Sequence, residues 1–391
     1  MNVTQQGLVA LMKSAVLQQS EPLPEGFCLQ TALPLIKQHH IAALVYDGAE
    51  RCGLSRRDPA MAKLFQVYCS FLVASEGQMR EIGRIFRAFE ENSIDYLPLK
   101  GCNMKALYPK PEMRTMGDAD ILIRVDQYRR IVPVMESLGF VQKYESDHEL
   151  VWGSPELEVE LHKHLIPSNN RDMYAYFGDG WQLAVPSGGS RWDMTPEDAF
   201  VFLFAHFAKH YRDGGIGCRY VLDLWVYLRA NPELRMDRVM ASLEKLNLDR
   251  FYRNISRLMA VWFEGAQPDD LSEYLTEFIF SSGSWGNVEQ REAAQAVRNM
   301  RRAGSETGGK LRYLVRVVFP NLGAMQKGYP VLIKAPWLLP VMWLVRILRR
   351  MFCGRSSENR YKRILNAMNQ ETLDTRQQLL RYVGLDPHQG L

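Results

Sequence analysis

The stretch Leu97–Ile123, LPLKGCNMKALYPKPEMRTMGDADILI, decides the fold. It continues a short apolar run, Ile94–Leu99, which has strand character and is closed by Lys100-Gly101. Cys102–Tyr108 then reads as a short helix stopped by Pro109 and Pro111, and Ala119–Arg124 reads as a second strand after Gly117. Asp118 and Asp120 open that strand two positions apart, so their side chains leave the same face and their carboxylates can share one metal site. Carboxylates held together repel, and a divalent cation removes that penalty. Hard oxygen ligands at this spacing favour Mg²⁺ or Mn²⁺.

Further along the chain, Asp126–Leu138 is expected to be a helix ending at Gly139, and three short strands follow at Phe140–Tyr144, Glu149–Trp152 and Leu157–His162. The last alternates. Leu157, Val159 and Leu161 face a core, while Glu158, Glu160 and His162 face the other way. If this strand lies beside the Asp strand, Glu160 is a third carboxylate at the same metal position. Before the strands the chain reads as helix, with Met61–Glu91 carrying apolar residues at the three-to-four spacing of one long amphipathic helix. After them, Thr195-Pro196-Glu197-Asp198 is a capping box that starts a second helical stretch. Ala303–Gly309 reads as a Gly/Ser linker and Phe319–Pro330 as a loop. The expected division is 1–92 N-terminal helices, 93–193 α/β core, 194–309 helical domain and 310–391 basic helical tail.

These parts suit phosphoryl transfer. A glycine turn at a helix N-terminus offers N–H groups to phosphate, metals hold the attacking and leaving oxygens, and a third acid helps deprotonate an acceptor hydroxyl. The order Lys100-Gly101, Arg114, Gly117-Asp118-Ala119-Asp120-Ile121-Leu122, Leu138-Gly139-Phe140, His148-Glu149 and Glu160-Leu161-His162 resembles the uncharacterised bacterial nucleotidyltransferase family of the DNA polymerase β-like superfamily, over about residues 94–230. The resemblance implies an α+β fold: a polymerase β-like core with a small mixed sheet, embedded in N- and C-terminal helices. It also implies Asp118 and Asp120 as metal ligands, Glu160 as the third acid, and Lys100 with Gly101 at the triphosphate of an NTP. The superfamily places Gly-Gly or Gly-Ser before the Asp pair, and Lys100-Gly101 departs from that by keeping the turn and losing the serine.

Around this set, Arg114 can hold phosphate or pair with Glu112. His148 lies at a turn beside the sheet, and His162 shares the acid face of Glu160, so each is a second-shell or acceptor-site candidate or a structural histidine. His206 and His210, four apart on one helix, have the spacing of a zinc pair without a third ligand nearby. Arg219 and Asp223, also four apart, are expected to pair on their helix. The resemblance also covers a His and an Asp in this helical region, which implies an acceptor-site role, or support of the site from behind, for His210 and Asp223, with plain helix packing as the alternative. Because the metal-free Asp pair repels, Asp120→Asn is expected to abolish transfer while leaving stability unchanged or raised.

The chain has 391 residues, 47 % apolar and 24 % charged, which suits a folded protein and excludes global disorder. Six cysteines are scattered singly, and MNVTQQGLVALMKS lacks a basic start followed by an apolar segment, so a reducing cytoplasm is the expected location. The net charge of +4 conceals an asymmetry: residues 310–391 hold 14 Lys and Arg against four acids. Between Lys327 and Arg363 nine basic residues accompany only Glu358. In Trp337–Met351, Arg346, Arg349 and Arg350 share one helical face, an arrangement that fits a helix lying peripherally on the anionic inner membrane face as well as a packed helix with its arginines in water. Nucleic acid is a further anionic partner for such a charge run. The expected function is metal-dependent transfer of a nucleoside monophosphate from an NTP to an acceptor hydroxyl. The alternatives are a non-catalytic nucleotide-binding or interaction protein on the same fold and a membrane-surface adaptor.

Overall fold

The computed structural model describes residues 1–168, 170–284, 286–326, 328–353 and 364–386. Four helices precede the sheet: α1 Val3–Leu17, α2 Leu29–His39, α3 Ala42–Arg51 and α4 Pro59–Glu91. The long helix expected over Met61–Glu91 is α4. Its start is fixed by Asp58, whose side chain accepts a hydrogen bond from Ala60 N at 2.7 Å, and by Pro59 in the first turn. Ala60, Met61 and Leu64 enter a large helical core, while Ile82, Ile85 and Phe89 enter a second core under the sheet, so this one helix ties the two together.

The sheet strands are β1 Tyr96–Pro98, β2 Asp118–Ile123, β3 Val141–Glu145, β4 Glu149–Gly153, β5 Glu158–His162, β6 Ala184–Gly188 and β7 Arg191–Met194. Short helices α5 Gly101–Met104, α6 Tyr128–Ser137 and α7 Arg171–Phe177 connect them. The spatial order is β3-β4-β5-β2-β1-β7-β6, in one mixed sheet of seven strands. β2 runs antiparallel to β1 and parallel to β5. One face is apolar: Ile121, Val159 and Leu161 pack under α4 and α6, and β-branched and aliphatic side chains on a pleat fill that layer. The opposite face carries the acids.

Three features differ from expectation. The β6–β7 hairpin, attached to β1 at Tyr96↔Arg191, widens the sheet beyond the five strands read from sequence. The Gly/Ser linker over 303–309 shrinks to a tight corner, because α13 Val288–Ala303 and α14 Glu306–Val318 are separated only by Gly304 and Ser305, and Ser305 caps α14 through Gly308 N. Gly309 is there for proximity rather than freedom, since a Cβ at that position would lie 2.8 Å from Met300 Cα. The loop at Phe319–Pro330 likewise contains helix α15, Leu322–Gln326.

The helical region runs through α8 Pro196–Gly214, α9 Cys218–Ala230, α10 Met236–Lys245, α11 Asp249–Phe263 and α12 Asp270–Ser282 to α13. Thr195 caps α8 as expected, accepting from Asp198 N at 3.2 Å, but its hydroxyl donates to the Asp198 carboxylate at 2.8 Å and so takes the bond the capping box would give to the backbone. After α15 come α16 Val331–Lys334, α17 Leu339–Cys353 and α18 Gln370–Val383. Side chains of α1, α3, α8, α9, α11 and α18 share the larger core, so N-terminal and C-terminal helices bury their apolar faces together.

Candidate active site

Between the acidic face of the sheet and helices α8 and α9 lies a cavity of about 440 Å³. Its floor is formed by Asp118, Asp120, Glu149 and Glu160, and its helical wall by His206, Lys209, His210 and Arg219. The parallel β2–β5 register sets Asp120 beside Glu160 and Asp118 beside Glu158. Ligand atoms of Asp120, Glu160 and His162 all fall within 4.8 Å of one another. Asp118 lies one pleat along β2, close enough that its neighbours change its chemistry: burial first, then the charges of Asp120 and Glu160, raise its pKa to about 7.

Asp120 behaves oppositely. Its Oδ1 accepts from Lys100 Nζ at 2.7 Å and pairs with His162 Nε2 at 2.8 Å; burial opposes ionisation, but Lys100 and His162 outweigh it and hold the carboxyl well below the usual range. This overturns the stability expectation for Asp120→Asn, because the carboxylate is paired rather than repelled and its loss strands the Lys100 ammonium. Asp118 is the repelled member.

Local backbone explains why Lys100 reaches Asp120. β1 ends at Pro98, Leu99 N donates to Asp120 O at 2.9 Å, and Lys100 turns the chain at φ +39°, ψ −104°. A positive φ at a non-glycine residue costs about 1–3 kcal/mol and clusters at functional sites. Gly101 follows in a tight cradle, since a Cβ there would meet Met116 Sδ at 2.7 Å and Arg114 Nη1 at 3.1 Å and would push the Met116 side chain aside.

The remaining candidates divide. Arg114 lines the cavity, but its Nε and Nη2 donate to Asp223 at 3.0 and 3.1 Å, and both side chains are buried. Glu112 takes no part in that pair and accepts instead from Tyr68 OH at 3.0 Å. Asp223 also accepts from Tyr108 OH at 2.7 Å and is not among the residues lining the cavity. The expected Arg219–Asp223 pair is therefore replaced. A bidentate partner across the fold satisfies Asp223 better than a helical neighbour, and Arg219 donates to Thr115 O at 2.6 Å. His162 Nδ1 meets His148 Nε2 at 3.1 Å, giving a buried chain Asp120–His162–His148. Burial first, then the charges of His162 and Lys209, lower the His148 pKa to about 2.

His206 and His210 face each other with ring centroids 4.3 Å apart, and neither belongs to a group of three metal-ligating side chains among the described residues. Burial, then Lys209 and Lys100, lower the His210 pKa to about 4, so its imidazole is neutral at pH 7. The sequence reading missed Lys209. It lines the cavity and makes no hydrogen bond or ion pair among the described residues, and its i,i+3 spacing from His206 is the signal the sequence offers.

The cleft sets carboxylates of two adjacent parallel strands beside the Lys100-Gly101 turn. Compared with known families, residues 27–264 match the uncharacterised nucleotidyltransferase family, and the chain belongs to it. The match extends well past the 94–230 of the residue-level resemblance and takes in α2–α4 and most of the helical region. No curated protein and no solved structure matches the chain.

Proposed function

We propose that the chain is a metal-dependent nucleotidyltransferase with a polymerase β-like core, moving a nucleoside monophosphate from an NTP to an acceptor hydroxyl. The observation that carries this reading is the β2–β5 register, which brings Glu160 beside Asp120 on the face that also bears Asp118. Ligand atoms of Asp120, Glu160 and His162 lie within 4.8 Å of one another, and Asp118 lies one pleat along the same face with its ionisation opposed by burial and then by the charges of Asp120 and Glu160, so these residues offer the hard oxygens that suit Mg²⁺ or Mn²⁺, which Asp118, Asp120 and Glu160 would hold. Such an ion supplies neutralisation of the charge that develops on the transferred phosphoryl group. His162 orients Asp120 through its Nε2, and His148 fixes His162 from behind. Glu160, partly exposed on the floor, accepts the proton of the acceptor hydroxyl. Lys209 and Arg219 present positive charge to the phosphates from the helical wall.

The test is transfer of α-labelled NTP into an acid-stable product of a cell extract supplied as acceptor, with pyrophosphate release measured in parallel. Label transfer with pyrophosphate that disappears in Asp118→Asn supports the reading. Release of inorganic phosphate without α-label transfer, or Mg²⁺-NTP binding that Asp118→Asn leaves intact, overturns it. The Lys100–Asp120 pair favours one second reading, a non-catalytic nucleotide-binding protein of the same fold whose cluster is neutralised by its own lysine and takes no metal.

A further inference from the structure

Of the 22 large apolar side chains exposed among the described residues, 11 lie within residues 311–348. They form two stripes. On α14, Leu311, Leu314, Val315 and Val318 are exposed at helical spacing, while Tyr313 and Gly309 face α13. On α17, Val341, Leu344, Val345 and Leu348 repeat the same spacing, and Trp337 just before it is 76 % exposed. The two are joined where Phe319 meets Trp343, with ring centroids 5.3 Å apart, and where Arg346 donates to Val317 O at 2.7 Å. The packed-helix alternative put the arginines in water and the apolar side inward. In the structure Arg346 instead turns partly inward to cap α14, and the apolar stripe is the outward one.

The charge around these stripes is of one sign. Residues 310–353 contain eight Lys and Arg and no Asp or Glu. Among them Arg312, Arg316, Lys334 and Arg349 are exposed. Exposed apolar side chains gathered on two joined helices and flanked by charge of one sign mark an interaction site. We propose that α14 and α17 form an interfacial docking surface for an anionic lipid bilayer, with the apolar stripes entering the headgroup boundary and the cations meeting lipid phosphates. A second copy of the chain would bring two cationic faces together, which Coulomb repulsion opposes. Nucleic acid would satisfy the cations and leave the stripes in water. No helix among the described residues is long and apolar enough to cross a membrane, so the contact lies at the surface. This inference stands independently of nucleotidyl transfer.

The test is flotation of the full chain with phosphatidylcholine vesicles, with and without phosphatidylglycerol, at low and high salt. Binding is expected only to the anionic vesicles and is expected to weaken as the Debye length falls from about 10 Å at 0.1 M to about 3 Å at 1 M salt. Arg349→Glu is expected to weaken it about fivefold or more, and Leu344→Asp with Leu348→Asp about a hundredfold, with unchanged melting because both leucines are exposed. Should the leucine variant fail to fold, the salt titration with Arg349→Glu decides alone. Lack of flotation on anionic vesicles at low salt overturns the proposal. So does equal flotation on neutral ones, retention by RNA without flotation, or a dimer in sedimentation that Leu344→Asp dissolves.

Discussion

Replacing Lys100 by Met is expected to make the protein bind Mg²⁺ more tightly in the absence of nucleotide. Lys100 Nζ sits 2.7 Å from Asp120 Oδ1, with both side chains largely buried, so an incoming cation must compete with a tethered one already in the cluster. Coulomb's law at this distance with an effective dielectric of about 20 gives about 6 kcal/mol for the pair, before the released ammonium recovers hydration. If about 1.4 kcal/mol survives that compensation, the variant binds metal tenfold more tightly. The same change strands part of the Asp120 charge, although His162 still holds Oδ1 at 2.8 Å, so the metal-free variant is expected to be less stable by about 2–4 kcal/mol. Lys100→Gly is expected to lose less, because glycine adopts the positive φ without strain. Thermal melting over a MgCl₂ titration reads both quantities, with the variant melting lower without metal and rising further and at lower Mg²⁺ than the parent. A titration midpoint that is unchanged or higher in Lys100→Met would refute the competition and favour the non-catalytic reading.

Three further outcomes follow from the same geometry. Asp118→Asn is expected to raise the metal-free melting temperature while abolishing Mg²⁺-dependent binding, whereas Asp120→Asn lowers both by leaving Lys100 and His162 without their carboxylate, a contrast that melting curves with and without Mg²⁺ display. A carboxyl whose pKa rises on folding contributes stability at low pH that is lost as pH climbs through the folded value; for Asp118 the window is from about 4 to about 7. Over that window calorimetric Mg²⁺ affinity is expected to increase with release of up to one proton and to level off above it, and an affinity flat across the range contradicts the assignment of Asp118 as a ligand. Asp223→Ala is expected to cost about 3–5 kcal/mol in denaturant unfolding, since it leaves the buried Arg114 guanidinium unpaired; the loss should exceed that of the double variant with Arg114→Met.

The shared face of the three acids is legible in the sequence because it follows from strand alternation. Asp118, Asp120 and Glu160 follow a two-residue period, and β2 and β5 preserve that period in register. Metal chemistry needs residues of one type on one face, and a strand writes that requirement directly into sequence. The partnership of Arg114 was not legible in the same way. Its partner Asp223 lies 109 residues away, and nothing in local spacing distinguishes a long-range bidentate pair from the i,i+4 pair that Arg219 offered. The β6–β7 hairpin was passed over for a related reason. Only Ser187-Gly188-Gly189 announced its turn, its strands are short, and pairing to β1, rather than local propensity, holds them in place. The linker at 303–309 erred in the opposite direction: small residues were read as freedom where the fold uses Gly309 for close helix contact.

The Arg114–Asp223–Tyr108 cluster also explains why sheet and helices form one site. Arg114 belongs to the loop that delivers Asp118, Tyr108 ends the turn that follows Gly101, and Asp223 sits inside α9. Fixing Arg114 and Tyr108 on the one buried Asp223 carboxylate sets the phase of α9 against the start of β2, and with it the place of Arg219 on the cavity wall. Arg219 reinforces the joint through Thr115 O, three residues before Asp118. The arginine that sequence order suggested for phosphate is paired with Asp223 instead, and Lys209 and Arg219 are cations of the cavity's helical wall. An acidic floor thus faces a basic wall across one cavity.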